Sequence, residues 1–161
     1  MNTYDPSLGF LPELTAQMIF DMTMDHLMKQ KEIAGDGEQC FCRYEKEDGK
    51  ILKCALGYWI PDYFYDENME NKAIEGIFEL FKFPFNYKSY VELFTRLQHF
   101  HDNDFKVDSV TGKLDISSIY SIYNFVEVWN VNKPYDPIDV SKFNEKYEIE
   151  GVLADATQAP E

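Results

Sequence analysis

The stretch Phe41-Cys42-Arg43-Tyr44-Glu45-Lys46-Glu47-Asp48-Gly49-Lys50-Ile51-Leu52-Lys53-Cys54-Ala55 decides the fold. Two runs of strand-forming residues, Phe41 to Lys46 and Ile51 to Ala55, flank a turn containing Asp48-Gly49, a strong short-range signal for a β-hairpin. Pairing across that turn sets Cys42 roughly opposite Cys54, with Arg43 and Tyr44 on the first strand. Gly57 follows the second strand where the backbone must bend or be closely approached. Ile60-Pro61-Asp62 then reads as an extended turn, and Tyr63, Phe64 and Tyr65 pack its exit.

Outward from the hairpin the period becomes helical. Upstream, a helix is expected from near Pro12 to about Gln30, with Ala16, Ile19, Phe20, Thr23 and Leu27 as its core stripe. Met18, Met22, Met24 and Met28 extend the apolar surface almost all round. That helix is therefore either central to the core or the contact surface of a homodimer. His26, at the edge of the stripe, reads as a hydrogen-bonded structural histidine.

Downstream, a second helix is expected from Asp66 or Asn68, carrying Met69, Ala73, Ile74, Ile77, Phe78 and Phe81 inward and ending at Pro84. Gly76 inside it implies a close crossing with another element. Ser89-Tyr90-Val91-Glu92 reads as a capping box opening a third helix that buries Tyr90, Leu93, Phe94, Leu97 and His101. Asp115 caps a fourth, with Ile116, Ile119, Tyr120, Tyr123, Val126 and Trp129, although Val126 to Val131 also admits a strand. After Pro134 and Pro137, Asp139 caps a short last helix with Val140, Phe143 and Tyr147. The expectation is one α+β domain over residues 1–152, four to five helices around a small antiparallel hairpin or three-stranded sheet, and a flexible tail over 153–161.

The charge is one-sided: 29 acidic against 15 basic residues, a net charge of −14. Such a field repels duplex nucleic acid, so no direct duplex binding is expected. The excess serves solubility, or forms a surface that imitates nucleic acid and occupies a basic groove on a partner protein. Hydrophobic content of 45% and aromatic content of 16% exclude a disordered chain. An odd count of three cysteines, an N-terminus without a basic and apolar leader pattern, and no apolar run of membrane length point to a cytoplasmic protein with reduced thiols and no membrane partner.

Gln17-Met18-Ile19-Phe20, His26-Leu27 with Gln30, Cys42-Arg43-Tyr44, Lys53-Cys54-Ala55-Leu56-Gly57, Ile60-Pro61-Asp62, Met69-Glu70 and Leu97-Gln98 with His101-Asp102 form an ordered set. This set resembles a family of small uncharacterised phage and prophage proteins with a Cys-x-Tyr-Arg hairpin, Cys-Ala-x-Gly, Ile-Pro-Asp and a Leu-Gln-x-x-His-Asp helix. The likeness covers roughly residues 15 to 103. It departs in the order Arg43-Tyr44 and in Asn71, where the family pattern has glycine. The resemblance implies a phage origin and a host-cell setting, and carries no chemistry of its own.

Three chemical readings remain. Cys40, Cys42 and Cys54 with His26, His99 or His101 hold zinc-ligand atoms, but the spacing is not that of a zinc ribbon; small buried thiols are expected, with no metal or cofactor. His26, His101, Asp102 and Asp115 supply the residue types of a metal-dependent phosphohydrolase. Arg43 and Lys53 with Tyr44, Tyr58 and Trp59 offer cations for phosphate and flat faces for a base, the makings of a pocket that sequesters a nucleotide signal, although no Gly-rich phosphate loop is present. The leading expectation is a non-enzymatic protein, without catalytic residues, that inhibits a host defence system by presenting acidic and aromatic surface to a host protein with a basic face.

Overall fold

The computed structural model describes residues 5–36 and 38–157. Its helices are α1 (Ala16–Gln30), α2 (Ile74–Leu80), α3 (Phe85–Lys88), α4 (Val91–His99), α5 (Ile116–Asn132), α6 (Ser141–Lys146) and α7 (Ile149–Thr157). Strands β1 (Arg43–Glu45) and β2 (Ile51–Lys53) make a two-stranded antiparallel sheet. This is the expected α+β arrangement of helices packed around a hairpin. No helix among the described residues is long and apolar enough to cross a membrane.

The hairpin pairs Arg43 with Lys53, Tyr44 with Leu52 and Glu45 with Ile51. Gly49 takes the positive φ, 87°, that closes the turn. Side chains alternate along a strand, so Cys42, Leu52 and Cys54 face the core while Arg43 and Lys53 share the outer face. A two-stranded ribbon leaves both edges unpaired. Here side chains close them: the Glu70 carboxylate accepts the Cys42 and Arg43 amides at 2.7 and 3.2 Å, and the Gln30 amide group both accepts from Lys53 N–H and donates to Lys53 C=O, each at 2.9 Å. The exposed backbone of a marginal element is thus satisfied by α1 and by the segment before α2.

Beyond β2 the chain turns back in one 3₁₀ turn, Gly57–Trp59. A Cβ on Gly57 would lie 1.9 Å from the Cys42 carbonyl oxygen, so only glycine permits this approach. The turn drives Trp59 into the centre of the molecule. Its Nε1–H donates to Thr23 Oγ1 of α1 at 2.8 Å, and its ring meets those of Tyr87 and Phe94 edge-on at 6.3 and 6.0 Å.

Helix α1 runs through the core. Of its fifteen residues only Lys29 is exposed. Met24 and Met28 are buried, and Met18 and Met22 pack against the core from its margin. The methionines therefore contribute to the chain's own packing, the core alternative of the sequence reading. The helix begins later than Pro12: Thr15 Oγ1 accepts from Met18 N–H, and Lys31, at φ 61°, ends it.

Several boundaries differ from the sequence reading for local reasons. The expected single second helix is divided into a 3₁₀ turn, Glu67–Met69 capped by Asp66, and α2, because Asn71 sits at φ 62° between them. Ser89 does not open a capping box; its hydroxyl donates to Asn86 C=O and the residue closes α3, so α4 begins at Val91. Val126 to Val131 is helical, held in the seventeen-residue α5 that Asp115 caps through Ser117 N–H. The tail expected from residue 153 is instead helical through Thr157, with Ile149 buried at the start of α7; residues 158–161 lie outside the described residues. Gly76 marks no close crossing, since nothing lies within 4 Å of where its Cβ would be.

The two glycines make opposite predictions. Gly57→Ala is expected to lower the unfolding free energy by about 3 kcal/mol or more, because a backbone carbonyl cannot step aside for the added carbon. Gly76→Ala is expected to raise it by about 0.5–1 kcal/mol through helix propensity alone. Urea unfolding of both variants beside the parent chain measures each difference.

Candidate functional site

Cross-strand pairing brings Arg43 and Lys53 together on the outer face of the hairpin. They meet a carboxylate of this same chain: Asp62, on the Pro61-Asp62 turn, accepts from Arg43 Nη2 at 2.5 Å and from Lys53 Nζ at 3.2 Å. The Arg43 guanidinium also lies 4.6 Å from the centre of the Tyr65 ring, whose hydroxyl donates to Glu70 at 2.5 Å. Partial burial works against ionisation of Asp62, but the hydrogen bonds from Lys53 and Arg43 outweigh it and hold the carboxyl below its ordinary range.

The aromatic half of the expected nucleotide pocket is elsewhere. Trp59 is fully buried and offers no stacking face. Tyr44 lies on the opposite side of the ladder from Arg43 and Lys53 and stacks on Phe41 at 5.6 Å. Tyr58 stacks on His26 at 4.5 Å. Of the five residues, Arg43 and Lys53 meet on one face and the Tyr58 and Trp59 rings touch edge-on at 5.6 Å, but among the described residues no contact joins the cations to the rings, and Asp62 bridges the two cations.

The histidines and thiols have structural duties of equal clarity. His26 Nε2 bonds to Lys53 C=O at 2.9 Å, and burial pushes the imidazole down to about 4. His101 is fully buried; its Nε2 accepts from Ala34 N–H at 3.1 Å. A neutral imidazole so engaged carries its proton on Nδ1, which donates to Asp102 at 2.7 Å. Asp102 also accepts from Gln98 Nε2 at 2.7 Å, and Gln98 Oε1 accepts from Leu56 N–H at 3.0 Å.

Cys40, His101 and Asp102 bring ligand atoms within 4.8 Å of one another. They do not form a ready metal centre. Ligation through His101 Nδ1 would force the ring proton to Nε2, directly against the Ala34 N–H. Asp115 caps α5 through Ser117, and His26, on α1, bonds to Lys53 C=O of β2, so of the four residues of the hydrolase reading only His101 and Asp102 bond to one another. Burial and the neighbouring Asp102 push the Cys40 thiol up to about 11, and the hydrogen bond to Cys54 together with burial pushes Cys42 up as well. These two thiols are poor nucleophiles.

Two features escaped the sequence reading. The first is an apolar edge. Phe10 is packed edge-on by Phe64, Phe83 and Tyr87 at 4.9, 5.5 and 5.0 Å, and the arm carrying it is tied down by Asp62 N–H to Ser7 C=O and by Leu11 N–H to the Tyr87 hydroxyl, both 2.9 Å. Next in sequence to this cluster, in which Phe83 and Tyr87 are buried and Phe10 and Phe64 partly so, Leu8, Tyr63 and Phe85 stand 79, 71 and 83% exposed. The second is a cleft of about 710 Å³ between α4 and α5, with Glu92, Arg96 and His99 on one wall and Ser121 and Asn124 on the other. Its signal in the sequence is the spacing of Glu92, Arg96 and His99 by four and three, one polar helix face.

The neutral burial of His26 has a measurable consequence. Its folded value lies below the unfolded one, so the unfolded chain binds the extra proton between pH 6.5 and about 4. Stability therefore falls as pH drops through that window, with the loss from the lowered carboxylates joining it toward the lower end. Urea midpoints measured across it are expected to decline, and His26→Gln is expected to flatten the decline.

In comparisons with known proteins, no family model, no curated protein and no solved structure matched the chain.

Proposed function

We propose that the chain is a phage-type, non-enzymatic binding protein that inhibits a host defence component by covering a basic surface with its own acidic and aromatic one. The observation that carries this reading is the exposed set Leu8, Tyr63 and Phe85 on a rigid aromatic foundation. Large exposed apolar side chains cost solubility, and aromatic anchors on ordered backbone are the groups that dominate protein interfaces.

The charge distribution supports the same reading. Arg43, Lys46, Lys50, Lys53, Arg96, Lys113 and Lys146 are each paired with a carboxylate of this chain. With fifteen basic residues in all, the net charge of −14 is left to face outward. A partner with a basic face would be drawn to it over a Debye length of about 8 Å at physiological salt. The phage setting rests on the sequence resemblance described above.

Tyr63→Ser combined with Phe85→Ser tests the reading, because both side chains are exposed and their loss leaves the core intact. The double variant is expected to keep its melting temperature within about 3 °C. It is expected to lose by at least about tenfold the affinity for a partner isolated from infected host cells with the parent chain. Parent binding is expected to weaken as salt rises. Partner affinity unchanged by the double substitution, or insensitive to salt, would overturn the proposal.

A further inference from the structure

We infer that the cleft between α4 and α5 is a binding site for a small zwitterion, a molecule of amino-acid or dipeptide size carrying one carboxylate and one ammonium group on an apolar stem. The inference starts from an unmet hydrogen bond. Among the described residues, Arg96 Nε is the one buried side-chain nitrogen or oxygen without a partner. Elsewhere the interior is thoroughly paired, down to Trp59 with Thr23 and both nitrogens of His101. A buried N–H left without an acceptor costs about 1–3 kcal/mol, so an acceptor supplied from outside is favoured there.

The neighbours say what kind of acceptor. The guanidinium is held only loosely by its own chain, with Nη2 3.6 Å from Glu92. That distance is an ion pair without a hydrogen bond, and it leaves the planar fork open for a carboxylate. One turn along the helix, His99 Nδ1 faces the Asn103 amide at 3.2 Å. An amide nitrogen can only donate, so His99 carries its proton on Nε2 as a second donor beside Arg96. Thr95 donates its hydroxyl to Val91 C=O at 2.7 Å, leaving its oxygen lone pairs to the cleft.

The rest of the lining decides against a phosphate. Glu75, Glu92 and Asp104 line the same cleft as Arg96, three carboxylate residues to one guanidinium, with Glu92 3.6 Å from it. A nucleotide or inorganic phosphate would bring two or more negative charges into that setting, whereas a ligand with its own ammonium group satisfies it. Val91 and Phe125 supply the apolar surface for the stem joining the two charges, and Phe125 is backed by the buried Phe100 ring, 6.0 Å away between centres. A volume of about 710 Å³ lies within the ordinary range of small-molecule sites.

The test is a titration of the full-length, isotope-labelled chain, followed by amide chemical shifts. The probes are L-leucine, glycyl-L-leucine, 4-methylpentanoate, which lacks the ammonium, isopentylamine, which lacks the carboxylate, and AMP. Saturable shifts confined to residues of the cleft are expected with at least one of the two zwitterions, and affinities at least about tenfold weaker for both single-charge analogues. Arg96→Gln is expected to weaken zwitterion binding by about tenfold or more. Arg96→Lys, which keeps the charge and removes the fork, serves the same purpose if the glutamine variant does not fold, and Glu75→Gln probes the ammonium side without touching the core. The inference is overturned if neither zwitterion saturates below about 20 mM, if AMP binds more tightly than both, or if binding survives the Arg96 substitution that folds.

Discussion

The contact between the Gly57 backbone and the Cys42 carbonyl is the constraint on which the rest of the structure depends. A two-stranded ribbon of three residues a side has almost no stability of its own. It persists because the chain leaving β2 folds straight back against the strand before it, and no side chain of any size fits in that gap. From there the direction of the chain is set. Cys54 Sγ accepts from Gly57 N–H at 3.2 Å, the 3₁₀ turn follows, and Trp59 arrives beside Thr23 with three aromatic neighbours. One close approach thereby places the largest side chain of the core.

A second network fixes the same segment from behind. Leu56 N–H, Gln98, Asp102, His101 and Ala34 N–H form a single run of hydrogen bonds between the hairpin exit, the end of α4 and the loop after α1. The run crosses a local widening of the helix over Phe100–Asp104, where the backbone adopts a π-helical turn. That turn lets His101 face inward while Asp102, the next residue, still reaches its ring. Both nitrogens of His101 are engaged within the run, so the His-Asp pair ties the loop after α1 to the end of α4 and, through Gln98, to the hairpin exit.

Much of this was legible in the residues and some was not. Asp48-Gly49, the alternation through Cys42 and Cys54, and Gly57 announced the hairpin and its close approach because those effects are local and depend on one residue type. The stripes on α1 and α4 were legible for the same reason: their periods are internal to each helix. On α5 only Ile119, Val126 and Trp129 of the expected stripe are buried, while Tyr120 is exposed and Ile122 and Phe125 take core places, because a helix apolar on most sides does not mark which face turns inward. Gly76 misled because helix propensity says only that glycine is costly, and nothing in the sequence tells a crowded glycine from an uncrowded one. Ser89 misled because the capping box shares its letters with a helix end, and Pro84 had already opened a short helix five residues earlier. The pocket proposed from Arg43, Lys53 and Trp59 failed on a long-range fact. Trp59 was needed by Thr23, thirty-six residues away, and Asp62 answered the two cations before any ligand could.

These outcomes sharpen where function can reside. A group already paired inside the fold has its free energy committed, and recruiting it for a ligand means breaking what it makes. By that criterion the cysteines, His26, His101, Arg43 and Lys53 are poor candidates, though they were the residues whose chemistry first drew attention. What the fold leaves unanswered is of two kinds. Leu8, Tyr63 and Phe85 present apolar surface to water on a framework that does not need them for packing, and Arg96 buries an N–H without an acceptor. Both carry a free-energy cost in the isolated chain that a partner or ligand would relieve. Exposed side chains contributed by three segments of the chain suit the face of another macromolecule, whereas Arg96, in the lining of a cleft of about 710 Å³, suits a small molecule.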